Sequence, residues 1–286
     1  MLEWVLTAIV RALAVSTPLL WASLGEIYAE RSGVINLGVE GMMILGALSA
    51  FVVAQVTGYP VAGLLAAAAA GGLAALLHAF VSVTLRANQY VSGLALTMLG
   101  LGLAGVLGRG WEGTPLLNTL PEISWLTYMG LLLAAGLWLV LHHTRMGMVI
   151  RSTGESPAAA DALGVNVYLV RYLCVVFGGV LAGVAGGFLS VAYRPSWTEG
   201  MTAGLGWIAI AITIFAGWDP LRAVAGAFLF GALFHLSFRL QAWIQPEALR
   251  MMPFAFTILV LAATAGRRRG QGAPEALGLP YASGER

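Results

Sequence analysis

Long apolar stretches recur along this 286-residue chain, separated by short polar turns, and they leave few environments in which it can fold. They run from Leu6 to Leu24, Leu37 to Val56, Val61 to Leu85, Val91 to Leu107, Trp125 to Leu141, Tyr168 to Val191, Ala203 to Gly217, Leu221 to Phe238 and Met252 to Ala265. A helix needs about 20 apolar residues to cross the roughly 30 Å hydrocarbon layer, where its backbone groups must be bonded internally. The expected fold is therefore all-α: a polytopic transmembrane helix bundle of about nine spans, eight to ten, because the first and seventh stretches are short or interrupted. Only 10% of residues are charged, against about 25% in a soluble domain, and the mean hydropathy is +0.85. One membrane domain is expected over residues 1–266. The remainder, 267–286, is rich in Gly, Pro and charge and reads as a disordered cytoplasmic tail.

All 15 basic residues are arginine. Without lysine the chain has neither a P-loop lysine to cradle nucleotide phosphates nor a Schiff-base lysine, so any ATP that drives it is hydrolysed by another subunit. Cys174 is the single cysteine, which excludes an intrachain disulfide and a cysteine-cluster metal site. No His/Cys/carboxylate spacing suits a metal, and no Gly-x-Ser-x-Gly elbow or His-Glu-x-x-His is present. The reading thus contains no catalytic residue, no metal, no cofactor and no nucleic-acid partner. His78 and His235 lie in apolar runs and read as packed side chains. Residues 1–24 lack the charged n-region and cleavage site of a signal peptide and read as a retained span.

Arginines in short loops stay on the cytoplasmic side. With Arg267, Arg268 and Arg269 inside, alternation brings Arg31, Arg86, Arg145, Arg151, Arg171, Arg222 and Arg286 inside and leaves Arg109, Arg194, Arg239 and Arg250 outside. The frame predicts a multi-pass membrane protein with its N-terminus external and its C-terminus cytoplasmic. Trp111, Trp125, Tyr193, Trp197 and Trp243 then fall at the outer face as interface anchors. Gly179, Gly183 and Gly187 recur at four-residue spacing, as small residues do where membrane helices approach closely.

The longest cytoplasmic connection, His142 to Val167, reads HHTRMGMVIRSTGESPAAADALGVNV. Ser156 can cap a helix there, Pro157 suits its first position, Ala158 to Leu163 continue it, and Gly164 can close it in the left-handed conformation. So short a helix is marginal in water, which implies that it docks against something; a linker helix lying on the membrane surface is the alternative. Between the first two spans, Glu26, Glu30, Arg31 and Glu40 alternate with Gly33 and Gly38. Polar, glycine-broken backbone of this kind lines water-filled paths in transporters, which would bring Asn36 and Glu40 onto the path. The alternative is an ordinary cytoplasmic loop, with Glu40 at a helix N-terminus where the dipole favours it. Asn88, Gln89 and Ser92 enter the fourth span, where they can bond a polar solute or hold helices together. Trp207 can stack on a base or anchor the interface.

GESPAAADALGVNV resembles the cytoplasmic coupling segment of ABC importer permeases in the sugar, nucleoside and branched-chain amino acid superfamily. ERSGVINLGVEGMM (Glu30 to Met43) and RANQYVSGLAL (Arg86 to Leu96) are similar to blocks of its nucleoside-type members, and GWIAIAITIFAGWDP (Gly206 to Pro220) also fits. The resemblance runs from about Thr17 to Gly266, with the blocks in the family's order, and matches the shorter permease of a pair. It implies that the short helix inserts into a groove on a cytoplasmic ATPase, with Gly154, Glu155, Ser156, Pro157, Ala158, Asp161 and Gly164 at the contact. It implies further partners: a second permease in a heterodimer, an extracytoplasmic solute-binding lipoprotein and the lipid bilayer. The implied function is alternating-access import of a nucleoside or related solute along a path that includes Asn36, Glu40, Asn88, Gln89, Ser92 and Trp207. A simple-sugar or branched-chain amino acid permease is the rival within the class, and an ion-coupled secondary carrier the rival outside it.

Overall fold

A computed structural model of the chain describes residues 2–241, 244–245, 251–252, 255–256, 258–259, 262 and 272–283. Among the described residues ten α-helices are complete: α1 (Leu2–Arg31), α2 (Val39–Thr57), α3 (Pro60–Ala79), α4 (Gln89–Gly108), α5 (Trp125–His143), α6 (Arg145–Glu155), α7 (Pro157–Ala162), α8 (Val167–Phe188), α9 (Leu205–Ala216) and α10 (Pro220–Leu240). α3 and α8 each end in a wider π-helical turn, Phe80–Thr84 and Leu189–Tyr193. Among the described residues there is no β-strand, only isolated bridges joining Glu112 to Trp197 and Pro115 to Ser196.

Six helices in the described part are long and apolar enough to cross a membrane: α2, α3 with its π turn, α4, α5, α8 with its π turn, and the Pro220–Ser237 part of α10. Three of the nine expected stretches are not among these six. The first stretch lies within the 30-residue α1, where Arg11 interrupts it and Glu26, Glu30 and Arg31 follow it. The seventh, Ala203 to Gly217, contains only the 12-residue α9, about 18 Å long at 1.5 Å per residue and too short for the layer. The ninth, Met252 to Ala265, lies largely outside the described residues.

α8 is the central post, with α1, α2 and α3 against it. Close approach is possible because the backbones meet at glycine. A Cβ on Gly71 would lie 2.2 Å from the Gly179 carbonyl oxygen, and one on Gly186 only 1.8 Å from that of Met43. Lipid provides little hydrophobic drive between helices, so packing area at such crossings must supply it. The repeat Gly179, Gly183, Gly187 faces α3, against Gly71 and Ala67. The α4 glycines differ from one another: Gly100 meets Gly41 and Gly108 meets Trp197, whereas nothing lies within 4 Å of a Cβ on Gly102. Trp197 is 1% exposed and so is a core side chain, not the interface anchor its loop position implied.

The segment 272–283 also departs from the expectation of a disordered end. It lies across the ends of α1, α6, α7 and α8 and hydrogen-bonds to each of those regions or to the chain leaving them. Residues 267–271 and 284–286 lie outside the described set.

Candidate functional site

Because α9 is a half-length helix, its two ends have to find polar partners without relying on water. Its N-terminus is met by Glu40, in the first turn of α2. One carboxylate oxygen accepts the Gly206 N–H at 2.7 Å, and the other accepts the Gly204 N–H at 2.9 Å and the Thr202 hydroxyl at 2.5 Å. Glu40 is only 4% exposed, and a Cβ on Gly206 would collide with the Glu40 backbone at 2.6 Å. The acid stands at the positive ends of two helices at once, its own α2 and α9. The C-terminus of α9 is met by Arg31, whose Nε donates to the Trp218 carbonyl at 3.1 Å and whose Nη2 donates to that of Gly217 at 3.2 Å. A guanidinium on the last carbonyls of a helix satisfies both their acceptors and the dipole.

Residues 32–38 connect these two grips through a buried polar lattice. The Asn36 N–H donates to Glu26 at 3.3 Å, its side-chain oxygen accepts the Gly38 N–H at 3.1 Å, and its amide faces the Met42 sulfur at 3.6 Å. Gln89 accepts the Ile35 N–H at 2.8 Å, and Thr97 donates to the Leu37 carbonyl at 2.9 Å. His78 lies between the Ile35 carbonyl and Ser92, each at 2.9 Å. Since a carbonyl can only accept, Nε2 carries the proton and Nδ1 accepts from the Ser92 hydroxyl when the ring is neutral. Glu30 accepts from the Trp218 indole N–H, while Glu26 Oε2 has no partner.

The residues singled out in the sequence therefore divide. Asn36, Glu40 and Gln89 are buried and bonded within the chain, where they shape the 32–38 segment and anchor α9. Asn88 is exposed and caps α4 by accepting the Val91 N–H at 3.1 Å, Ser92 is half-buried beside His78, and Trp207 is half-buried on α9.

At the other cluster, α7 spans Pro157–Ala162 with Pro157 in its first turn, and Gly164 closes it at φ +85°. Ser156 makes no side-chain capping bond; its backbone carbonyl accepts the Ala160 N–H at 3.0 Å instead. Gly154 is buried, its carbonyl bonded to the Ala276 N–H at 2.9 Å, and a Cβ there would sit 2.2 Å from the Arg31 carbonyl oxygen. Glu155 accepts the Glu275 N–H at 3.2 Å, and Asp161 accepts the hydroxyls of Tyr281 and Ser283, both at 2.7 Å. Those hydroxyls hold the Asp161 carboxyl below its ordinary range. Ala158, Ala159, Ala162 and Gly164 are exposed, and Leu163 is 85% exposed.

Several participants escaped the sequence reading: Thr202 and Gly204 at the Glu40 end, and Gly278, Tyr281 and Ser283 in the C-terminal segment. The spacing Thr202-x-Gly204-x-Gly206 was the visible signal, since three donors along one loop suit a carboxylate. Nothing local marked the C-terminal segment, whose partners are more than 100 positions away.

Among the described residues no group of three or more His, Cys, Asp or Glu side chains could hold a metal. A half-helix gripped at both ends within a glycine-packed bundle is the broken-helix architecture that membrane transporters use. The solved structures include a chain with this fold: an ABC transporter in an inward-facing conformation superposes with a TM-score of 0.56, at 18% identity over 90% of this chain and 85% of that one. The family described as branched-chain amino acid transport system / permease component matches residues 8–261, and the chain belongs to it. The Bacillus subtilis guanosine ABC transporter permease protein NupQ is 34% identical over 99% of this chain and 98% of its own. The Lactococcus lactis nucleoside ABC transporter permease protein NupC is 34% identical over 93% of each. The Haloferax volcanii "Putative glucose ABC transporter permease protein TsgC13" is 42% identical over 79% of this chain and 75% of its own. This chain is thus a permease subunit of an ABC importer.

Proposed function

We propose that this chain and a second, different permease form the path by which a nucleoside crosses the bacterial inner membrane, and that α7 is where a cytoplasmic ATPase docks. The observation that carries the docking is the surface of α7. Leu163 is 85% exposed at its end, beside exposed Ala158, Ala159 and Ala162, outside the long apolar helices. A small apolar knob standing clear of a bundle suits a groove on a partner. Arg31, Arg86, Arg145, Arg151, Arg171 and Arg222 lie in or beside the elements at the α7 end, while Arg11 pairs with Glu122 at the opposite end. By the positive-inside rule the α7 end is cytoplasmic and the start of α1 external.

A nucleoside as solute rests on the near full-length similarity to NupQ and NupC. A simple sugar is the second reading, favoured by the higher identity to TsgC13 over a shorter stretch. In the path, Trp207 offers a ring for a base and Ser92 and Asn88 offer polar atoms, while Asn36, Glu40 and Gln89 stiffen the wall behind them. An external lipoprotein delivers solute to the loops near Gly108 to Ser124 and Tyr193 to Thr202. ATPase closure on α7 then stabilises one arrangement of the bundle over the other, which is the differential interaction a driven transition requires.

Uptake of labelled guanosine into proteoliposomes holding the complete importer tests this reading. ATP-dependent uptake that excess nucleoside inhibits and excess glucose does not is the expected result. Inhibition by glucose alone would select the sugar reading, and uptake by this chain in an ion gradient without ATPase would select a secondary carrier.

A further inference from the structure

We propose that residues 272–283 form a strap through which α7 moves as one body with the end of α1; this rests on the reading that α7 receives the motion of an ATPase. α7 has little footing of its own. It is six residues long, and Ala160 is its single buried residue. A helix of that length is not stable alone, and its direct chain connections lead to α6 and α8, not to the half-helix α9.

Gly154 at the end of α6 already packs on the Arg31 carbonyl, and the strap adds a second link that reaches α7 directly, in the order of its residues. The Ala276 N–H bonds to the Gly154 carbonyl at the end of α6 at 2.9 Å, and the Gly278 N–H to the Gly33 carbonyl just past α1 at 3.1 Å. Arg171, 1% exposed near the start of α8, donates from Nη1 to the Leu279 carbonyl at 3.1 Å and from Nε to the Ser32 carbonyl at 3.3 Å. The hydroxyls of Tyr281 and Ser283 then close on Asp161 of α7, each at 2.7 Å. The Tyr281 ring lies 5.9 Å from that of Tyr168.

Gly278 has φ +78°, and a Cβ there would come within 2.8 Å of Ile35, so the strap follows the 32–38 segment closely. Gly33 is two residues from Arg31, which holds the C-terminus of α9. A displacement of α7 therefore has a bonded route to α9: Asp161, Tyr281 and Ser283, Gly278, Gly33, Arg31, Trp218. Tyr281 and Ser283 are positioning residues that act through Asp161.

The double variant Tyr281→Phe, Ser283→Ala in the complete reconstituted importer tests the strap, with solute moved per ATP hydrolysed as the readout. Two charge-assisted hydrogen bonds are lost, so the ratio should fall about tenfold while the ATPase still co-purifies. Ser283→Thr, which keeps the hydroxyl, should restore most of the ratio. A ratio within about twofold of the native one in the double variant would overturn the strap while leaving ATPase docking intact. Failure of the native permease to co-purify with any ATPase would instead overturn the docking reading, and with it the strap. In the milder Ser283→Ala variant, amide exchange across 158–163 should quicken about fivefold, and unchanged exchange would also contradict the proposal.

Discussion

Arg31 and Glu40 grip opposite ends of the same short helix. The Arg31 guanidinium takes the Gly217 and Trp218 carbonyls at the C-terminus of α9, and the Glu40 carboxylate takes the Gly206 N–H at its N-terminus. The two residues flank the seven-residue connection 32–38 between α1 and α2, so one local segment sets the position of a helix that arrives 165 residues after Glu40. Charge and dipole agree at both ends: the acid faces the positive terminus and the base the negative one.

Replacing Glu40 by alanine leaves the N–H groups of Gly204 and Gly206 and the Thr202 hydroxyl without acceptors in a buried site. A loss of about 3 kcal/mol of stability is expected, with Glu40→Gln milder because one oxygen remains. Thermal unfolding in detergent measures both. Similar midpoints for Glu40→Ala and the native protein would show that the grip contributes nothing.

The glycines are not equivalent. Gly186→Ala drives a methyl into the Met43 carbonyl and should prevent the protein from accumulating in the membrane, whereas a Cβ on Gly102 meets nothing within 4 Å. Gly102→Ala should therefore be neutral or stabilise α4 by up to about 1 kcal/mol. Membrane levels and thermal midpoints of the two variants provide the comparison.

How much of this was legible in the sequence depended on distance along the chain. The apolar runs placed α2, α3, α4, α5, α8 and α10, and Pro157 and Gly164 bracketed α7, because length, capping and turn chemistry are local. For α9 the bounds were legible, Ala203 to Gly217 expected against Leu205–Ala216 observed, but the stretch reads as a span; no local count reveals that a helix this short has a distant glutamate at its N-terminus. Glu40 itself supported two readings, as path lining or as a residue at its own helix's N-terminus. The structure gives it donors from a second helix. The C-terminal residues looked featureless because low hydropathy says nothing of hydrogen bonds to Gly33, Gly154 and Asp161.

A charge at the end of α7 should block its partner. Leu163→Arg leaves the exposed position free of strain within the chain but buries a guanidinium in any apolar groove that receives it. Co-purification of the ATPase should fall at least tenfold, roughly the effect of losing a contact at the centre of an interface. Equal yields of ATPase with both proteins would argue against Leu163 as part of the contact.

The strap's hold on Asp161 has a defined pH window. Hydrogen bonds from Ser283 and Tyr281 depress the carboxyl below its ordinary value, which is about 3.9. A depressed acid contributes above its unfolded value and loses that contribution as pH falls through the folded one. Exchange protection at 281–283, corrected for intrinsic rates, should be constant from about pH 5 to pH 8 and decline below about pH 4. A decline centred near neutrality would assign the contact to another group.

The account turns on α7 as the point of engagement with a separate ATPase, and a photo-cross-linker at Ala158 tests that most directly in native membranes. The prediction is a single major adduct between this chain and the ATPase subunit, formed from the cytoplasmic side. An adduct with a periplasmic protein, or none from Ala158 while ATP-driven uptake proceeds, would contradict it.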